Sequence, residues 1–274
     1  MLELNQIYNL DCLEGLSKLD NESVQLTFTS PPFSNMREYD VFQGISPDKY
    51  NDWIIPIIKQ IDRVTRADGS FILNINDKVE NRFRNTFVFE LVVRICKETG
   101  FKLFERLFWN KGKYLPHPKR FGDKIEYLFW FVKSDQFYFD IESMRVPYDE
   151  KSKKRMLKPI KKRFNRDEQN QNTVEYKQWK ENPNGALPST LITIGSESQR
   201  ISDKHFSVFP LKLATYFIKG ASKENDTILD PFMGSGTVAV AAKSLNRNYI
   251  GFDISNAYCE EANKRINKEK QLVI

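Results

Sequence analysis

Histidine and cysteine are scarce in this chain: 274 residues carry only His117 and His205, and three cysteines, Cys12, Cys96 and Cys259. The cysteines are odd in number, widely spaced and form no CxxC pair, and no histidine cluster accompanies them. That pattern argues against a disulfide framework and against structural zinc. Long apolar runs are lacking as well. Stretches such as 128–132 fall far short of the roughly 20 residues that span a bilayer, and no basic region followed by an apolar one opens the chain. The expectation is a soluble protein that stays inside the cell and has no membrane partner. Nor does the chain hold an internal repeat, a heptad, or the Gly-Lys-Ser or Gly-Lys-Thr of a phosphate-binding loop.

Apolar residues make up 40% of the chain and aromatics 13%, enough for one large core. Lys and Arg outnumber Asp and Glu, 42 to 36, and the pI is near 9.0, which favours a polyanionic partner. Apolar strands alternate with amphipathic helices, which predicts an α/β sheet. Residues 24–28 read as a strand ending at a Pro-Pro pair. Ser46-Pro47 reads as a helix start, with Trp53, Ile54, Ile57, Ile58 and Ile61 on its apolar face and Gly69 as its stop. Further strands are expected at 71–75, 101–109 and 125–132, the last apolar almost throughout and so covered on both faces. A helix is expected at 86–98. After a break the rhythm resumes, with helices at 210–219, 237–245 and from Ser255 to about 268, and strands at 227–229 and 249–252.

Residues 134–189 differ in character. Lys151, Lys153, Lys154, Arg155, Lys158, Lys161, Lys162, Arg163 and Arg166 fall in one window with no acidic residue between them, followed by Gln- and Asn-rich sequence. The window is either a solvated insertion or a surface that tracks phosphates, with Phe164, Tyr176 and Trp179 at hand for stacking. The expected division is 1–133, the insertion 134–189, and 190–274.

Two segments carry the chemistry. Asp230-Pro231-Phe232-Met233-Gly234-Ser235-Gly236-Thr237 lies between a strand and a helix, where glycines admit a ligand to the backbone and the helix offers free N–H groups. Gly234-x-Gly236-x-x-Ala239, with Asp253 ending the next strand, fits a dinucleotide fingerprint equally well, so a nicotinamide-dependent oxidoreductase competes. Ser30-Pro31-Pro32-Phe33 ends another strand and is either an ordinary turn or an amine-binding device. The exocyclic amine of a nucleobase is a poor nucleophile because its lone pair is delocalised into the ring. Two acceptors at its hydrogens, here the Ser30 hydroxyl and the Pro31 carbonyl, favour the pyramidal geometry it needs, and Phe33 offers a ring for an extruded base.

With both segments the chain resembles the bacterial DNA amino-methyltransferases of the β arrangement, in which the catalytic motif precedes the target-recognition region and the cofactor motif comes last. Asn9-Leu10-Asp11-Cys12-Leu13-Glu14-Gly15-Leu16 resembles the opening segment of that family, Glu126 to Phe131 its late antiparallel-strand motif, and His205-Phe206-Ser207-Val208-Phe209-Pro210 the segment packed on the methionine end of the cofactor. The resemblance implies a Rossmann-like methyltransferase sheet, mostly parallel with an antiparallel edge strand, circularly permuted, with the basic insertion as target-recognition region. It implies S-adenosylmethionine as cofactor, held by Asp11, Cys12, Phe206, Phe209, Asp230, Phe232, Gly234, Gly236, Thr237 and Asp253, the last at the ribose. It implies double-stranded DNA as partner in the bacterial cytoplasm, at the nucleoid, and leaves room for a cognate restriction endonuclease and a homodimer. For His205 a structural role is expected, and Asp11 and Asp253 could each simply cap a helix.

Family members with Ser before the Pro-Pro pair mostly modify N4 of cytosine, and those with Asp or Asn mostly N6 of adenine. Ser30 therefore points to cytosine N4 within a restriction-modification system. Methylation at cytosine carbon 5 needs a nucleophilic cysteine, typically after a proline, and none of the three cysteines follows one. A non-catalytic DNA-binding protein on a decayed scaffold is the remaining competitor, disfavoured because both motifs are complete.

Overall fold

The computed structural model describes residues 2–34, 44–77, 79–80, 82–112, 117–163, 174–177, 179–195 and 210–269. The chain begins with β1 (Gln6–Asn9), α1 (Cys12–Ser17), β2 (Val24–Thr29), α2 (Pro47–Val64) and β3 (Thr65–Ile75). A small hairpin of β4 (Val79–Glu80) and β5 (Phe83–Arg84) precedes α3 (Phe87–Glu98), β6 (Lys102–Asn110) and β7 (Ile125–Val132). Next come a 3-10 turn at Glu142–Met144, α4 (Glu150–Met156), β8 (Ile160–Arg163), β9 (Val174–Lys177) and β10 (Leu191–Thr193). The chain closes with α5 (Leu211–Ala221), β11 (Thr227–Asp230), α6 (Thr237–Ser244), β12 (Asn248–Asp253) and α7 (Asn256–Glu269).

Two compact units emerge: Met1–Asp140 with Ser189–Ile274, and Ile141–Pro188. The first contains an eight-stranded sheet in the order β1-β12-β11-β2-β3-β7-β6-β10. β1, β12, β11, β2 and β3 run parallel, β7 is antiparallel to both its neighbours, and β10 is parallel to β6. The antiparallel strand expected at the edge is thus β7, and it lies inside, because β6 and the three-residue β10 extend the sheet beyond it. One face buries Phe71, Leu73, Ile75, Phe129 and Phe131 with Tyr50, Ile54, Ile57, Ile58 and Ile61 of α2 and Phe87, Val88, Leu91 and Ile95 of α3. On the other, Phe28 of β2 and Trp130 of β7 meet the Phe217 ring of α5. Helices on both faces explain why β2 is buried at every position, its polar Gln25, Thr27 and Thr29 included, and why most of β7 is apolar without alternation.

Gly69 does not stop α2, as expected from the sequence. The helix ends at Val64, Thr65 turns extended with ψ 132°, and Gly69 lies within β3. There a Cβ would stand 2.8 Å from the Gln25 carbonyl oxygen, at the point where the β2–β3 register shifts. Close strand approach, not helix termination, is what requires glycine at this position. β1 carried no readable strand signal, since Ile7 is its sole buried residue.

The second unit is built on little core. Arg145 bridges the Glu142 carboxylate at 2.6 and 2.8 Å and the Gly185 carbonyl at 2.8 Å, and Val146 pairs with Ala186. α4 buries no residue, and β8 pairs antiparallel with β9. No helix among the described residues is long and apolar enough to cross a membrane.

Phe71 is fully buried between the rings of Phe101 and Phe131, at 5.4 and 5.7 Å. Phe71→Ala should destabilise by about 3–5 kcal/mol, read as a lowered urea midpoint with an unchanged slope. A loss under about 1 kcal/mol would mean that this layer is not the core.

Candidate active site

β2 and β11 are parallel neighbours, with Leu26 opposite Ile228 and Thr27 opposite Leu229, so the two sequence motifs leave the sheet side by side. The C-terminal ends of β1, β12, β11, β2 and β3 open on the same edge, where open α/β sheets bind ligands. Thr29 Oγ1 donates to Asp230 Oδ1 at 2.6 Å, and that oxygen also accepts from the Phe232 amide at 3.0 Å. Asp230 is 2% exposed. Burial pushes its carboxyl up to about 7, the Thr29 hydroxyl and Phe232 amide counteract, and the nearby Asp253 charge adds to the rise.

The glycine loop follows from local geometry. Gly234 (φ 51°) and Gly236 (φ 83°) adopt left-handed backbone that other residues rarely take. A Cβ on Gly236 would lie 2.7 Å from Ala262 Cβ of α7, whereas one on Gly234 meets nothing nearer than the Phe232 carbonyl oxygen at 4.0 Å. Gly236 therefore serves helix packing, and Gly234 leaves open space above the backbone. Arg265 of α7 holds the loop from behind, donating from Nη1 to the Ser235 carbonyl at 2.5 Å, Ser235 Oγ at 2.7 Å and Thr237 Oγ1 at 3.4 Å.

Asp253 accepts from the Gly234 amide through Oδ2 and from the Ser255 amide through Oδ1, both at 2.8 Å. Asn9 Nδ2 and the Leu10 amide reach the Asp253 carbonyl at 3.0 and 3.1 Å, bringing the end of β1 to the same place. Asp11 caps α1, accepting from the Leu13 amide at 2.8 Å and the Glu14 amide at 3.4 Å. Cys12 is buried, and burial, aided by Asp11, pushes its thiol up to about 12, so it is no nucleophile.

On the catalytic side, Pro31 is buried and Ser30 and Pro32 are half-buried. The Pro32 carbonyl accepts from Tyr50 Oη of α2 at 3.0 Å, and Ser34 Oγ donates to the Ile45 carbonyl at 2.7 Å. Tyr50 stands against the rings of Trp53 and Phe87, and Trp53 lies 5.8 Å from Phe232 in the glycine loop. Phe33, 8% exposed, joins the core cluster, which leaves the base-stacking role expected of it little surface. Tyr50 and Arg265 were missed in the sequence, and Thr29 and Trp53 were read there only as a strand end and as part of an apolar helix face, because each acts through a tertiary contact that no local pattern announces.

Of the basic window, Lys151, Lys153, Lys154, Arg155 and Lys158 are exposed, and Lys153 pairs with Glu150 at 3.0 Å. Lys161, Lys162 and Arg163 are described only as backbone of β8. Phe206, Phe209, His205 and Arg166 lie outside the described residues. Among the described residues no three His, Cys, Asp or Glu side chains are grouped to hold a metal ion.

A mostly parallel α/β sheet, a strand-end Ser-Pro-Pro-Phe and an adjoining glycine loop are the frame of a nucleic-acid methylase. Residues 24–264 match the DNA methylase family, and the chain belongs to it. It is 29% identical to the type II methyltransferase M1.MboII of Moraxella bovis over 98% of both chains. It is 30% identical to the orphan methyltransferase M.BamHII of Bacillus amyloliquefaciens over 89% of both. Among solved structures, the PvuII DNA methyltransferase, described as cytosine-N4-specific, superposes with a TM-score of 0.72 at 23% identity, covering 94% of this chain and 85% of that one. The complex of M1.HpyAVI with S-adenosylmethionine gives 0.61 at 23% identity, covering 96% and 98%. These likenesses carry the fold, and family membership sets the oxidoreductase alternative aside.

Thr29→Val should cost about 1–3 kcal/mol by leaving the buried Asp230 carboxyl short of a donor, whereas Thr29→Ser should keep most of the stability in urea unfolding. The raised Asp230 carboxyl contributes stability that is fully present below its ordinary value of 3.8 and lost as pH rises through about 7. Relative to Asp230→Asn, the wild type should therefore lose stability over that interval. Parallel pH curves for the two proteins would show that the carboxyl is not perturbed.

Proposed function

We propose that the protein transfers a methyl group from S-adenosylmethionine to the exocyclic N4 amine of cytosine in a specific double-stranded DNA sequence, as the modification half of a restriction-modification system in the bacterial cytoplasm. The observation that carries this reading is the juxtaposition of Ser30-Pro31 with the Asp230 loop across the β2–β11 pair, joined by the Thr29–Asp230 hydrogen bond. The type II methyltransferases among the relatives support the restriction-modification setting.

The residues of the glycine loop fit the cofactor. The space over Gly234 admits a ligand to the backbone, the α6 N-terminus adjoins it, and the Asp253 carboxylate, bonded to the Gly234 amide, would hold the ribose hydroxyls. Phe232, Asp230 and Thr237 would surround its methionine end. When bound, S-adenosylmethionine supplies an electrophilic methyl on a positively charged sulfur. Ser30 Oγ and the Pro31 carbonyl would accept the amine hydrogens and localise the nitrogen lone pair for attack. Tyr50 fixes the Pro32 carbonyl and so anchors the backbone one residue beyond the Pro31 acceptor. Because Ser30 is no base, the amine proton passes to water after transfer. No covalent bond between enzyme and base is required. A basic insertion on residues 134–189 would read the target sequence from phosphates inward.

The second reading is N6 of adenine, because the matching family spans both amine chemistries. Ser30 before the Pro-Pro pair weighs for cytosine.

Transfer of tritiated methyl from S-adenosylmethionine to unmethylated phage DNA tests the reading. Ser30→Ala should slow transfer at least about 100-fold while leaving cofactor affinity within about twofold, because its acceptor acts on the amine. Asp253→Ala should instead raise the cofactor dissociation constant by about tenfold or more. No transfer by the wild type, or loss of cofactor binding in Ser30→Ala, would overturn these assignments. Reversing Lys151, Lys154 and Arg155 should flatten the salt dependence of DNA binding, and an unchanged slope would return that window to solvent.

A further inference from the structure

Two loops at the ligand edge of the sheet display aromatic rings that the methyl-transfer site does not use. β3 is parallel to β2, so the segment after Ile75 leaves on the Ser30 edge, and β7, antiparallel to β3, is entered from that same edge. The first loop is the β4–β5 hairpin, and the second is the described segment 117–124. Phe83 of the hairpin is 78% exposed and Phe121 of the second loop is 101% exposed.

Charge, not apolar contact, holds these loops together. The Arg84 guanidinium reaches the Asp77 carboxylate, whose side chain is fully buried, and the Asp123 carboxylate at 3.3 Å. Arg120 donates to the Arg82 carbonyl, and Asn76 Nδ2 to the Ile125 carbonyl at 3.4 Å. Lys119 is fixed at its amide, which donates to His117 Nδ1 at 3.1 Å. The clasp orders the backbone and leaves both rings in water. Rings so exposed are free to stack on a partner's flat apolar face.

The surroundings say which partner. Lys119, Arg120 and Lys124 flank Phe121 within 117–124, whose single acidic residue, Asp123, is engaged by Arg84, while Lys111 pairs with Glu126 at 2.9 Å. Arg82 adds a further exposed charge on the hairpin. Rings flanked by cations suit a nucleic acid, whose bases present flat apolar faces and whose phosphates lie outside them. A flipped target leaves neighbouring bases unstacked beside the site, and apolar wedges commonly fill such openings.

We propose that the clasped loops are a DNA-contacting element in which Phe121 and Phe83 stack on bases exposed where the duplex opens, while Lys119 and Arg82 meet the flanking phosphates. This rests on the methyltransferase reading for its choice of a duplex opened near Ser30. Stacking is indifferent to base identity, so the element supports opening of the duplex and leaves sequence choice to other residues.

The test uses the full chain and a fluorescein-labelled duplex, fully paired or with one central mismatch, followed by anisotropy. Phe83→Ala with Phe121→Ala should weaken binding to the mismatched duplex by roughly tenfold, the loss expected for a base–aromatic stack. Phe121→Trp should retain wild-type affinity. Urea midpoint and S-adenosylmethionine affinity should not change, since both rings are exposed. Lys119→Glu should reduce the salt slope by about one or more. Wild-type affinity in the double alanine variant would overturn the proposal. Methyl transfer measured on the same proteins separates the two readings. Wild-type protein that binds DNA through these rings but transfers no methyl would sink the methyltransferase reading and leave this surface standing. A double variant that matches wild type in both affinity and rate would do the reverse.

Discussion

The hydrogen bond from Thr29 to Asp230 is the point on which the candidate site depends. It joins residues 201 positions apart, at the ends of two neighbouring parallel strands, and it is buried. A carboxyl in so dry a place must be neutralised or well partnered, and Asp230 is both: raised to about 7 by burial, yet held by the Thr29 hydroxyl and the Phe232 amide. The amine-holding turn starts one residue after Thr29 and the glycine loop one residue after Asp230. Their separation is therefore set by a single short contact between strand ends, not by flexible loops.

Each loop is then fixed by a helix. Tyr50 of α2 anchors the Pro32 carbonyl, and its neighbour Trp53 packs toward Phe232, so an aromatic chain runs from the catalytic turn to the glycine loop. Arg265 of α7 grips Ser235 and Thr237, and Gly236 lets α7 approach to a distance no side chain would allow. Asp253 ties the end of β12 to Gly234, and Asn9 ties β1 to β12. A transfer reaction between two bound partners gains from such preorganisation because neither half must be ordered at the moment of reaction.

Much of this was legible in the sequence where the physics is local. β7 has the bounds expected from its apolar run, because its stretch from Leu128 to Val132, covered on both faces, is apolar at each position. Ser46 and Pro47 start α2, and the glycine loop stands between strand and helix, since left-handed backbone and helix starts select particular residue types. What was illegible is tertiary. Gly69 looks like a helix stop and is instead a place where β3 approaches Gln25 of β2. Phe33 looks like an open platform and is largely buried. Tyr50 and Arg265 have unremarkable neighbours in sequence, and Thr29, though it adjoins the Ser-Pro-Pro-Phe turn, gains its role only once strands far apart in the chain lie side by side. The covering of β6 likewise depends on β10, three residues long and separated from β6 in sequence by the second unit.

The central claim is that this paired site methylates cytosine N4. Its most direct test is to express the chain in a host free of DNA methyltransferases, digest the genomic DNA to nucleosides and identify the modified base by mass spectrometry. N4-methylcytosine in the presence of the wild type, and its absence with Ser30→Ala, is the predicted result. N6-methyladenine, or no modified base at all, would contradict it.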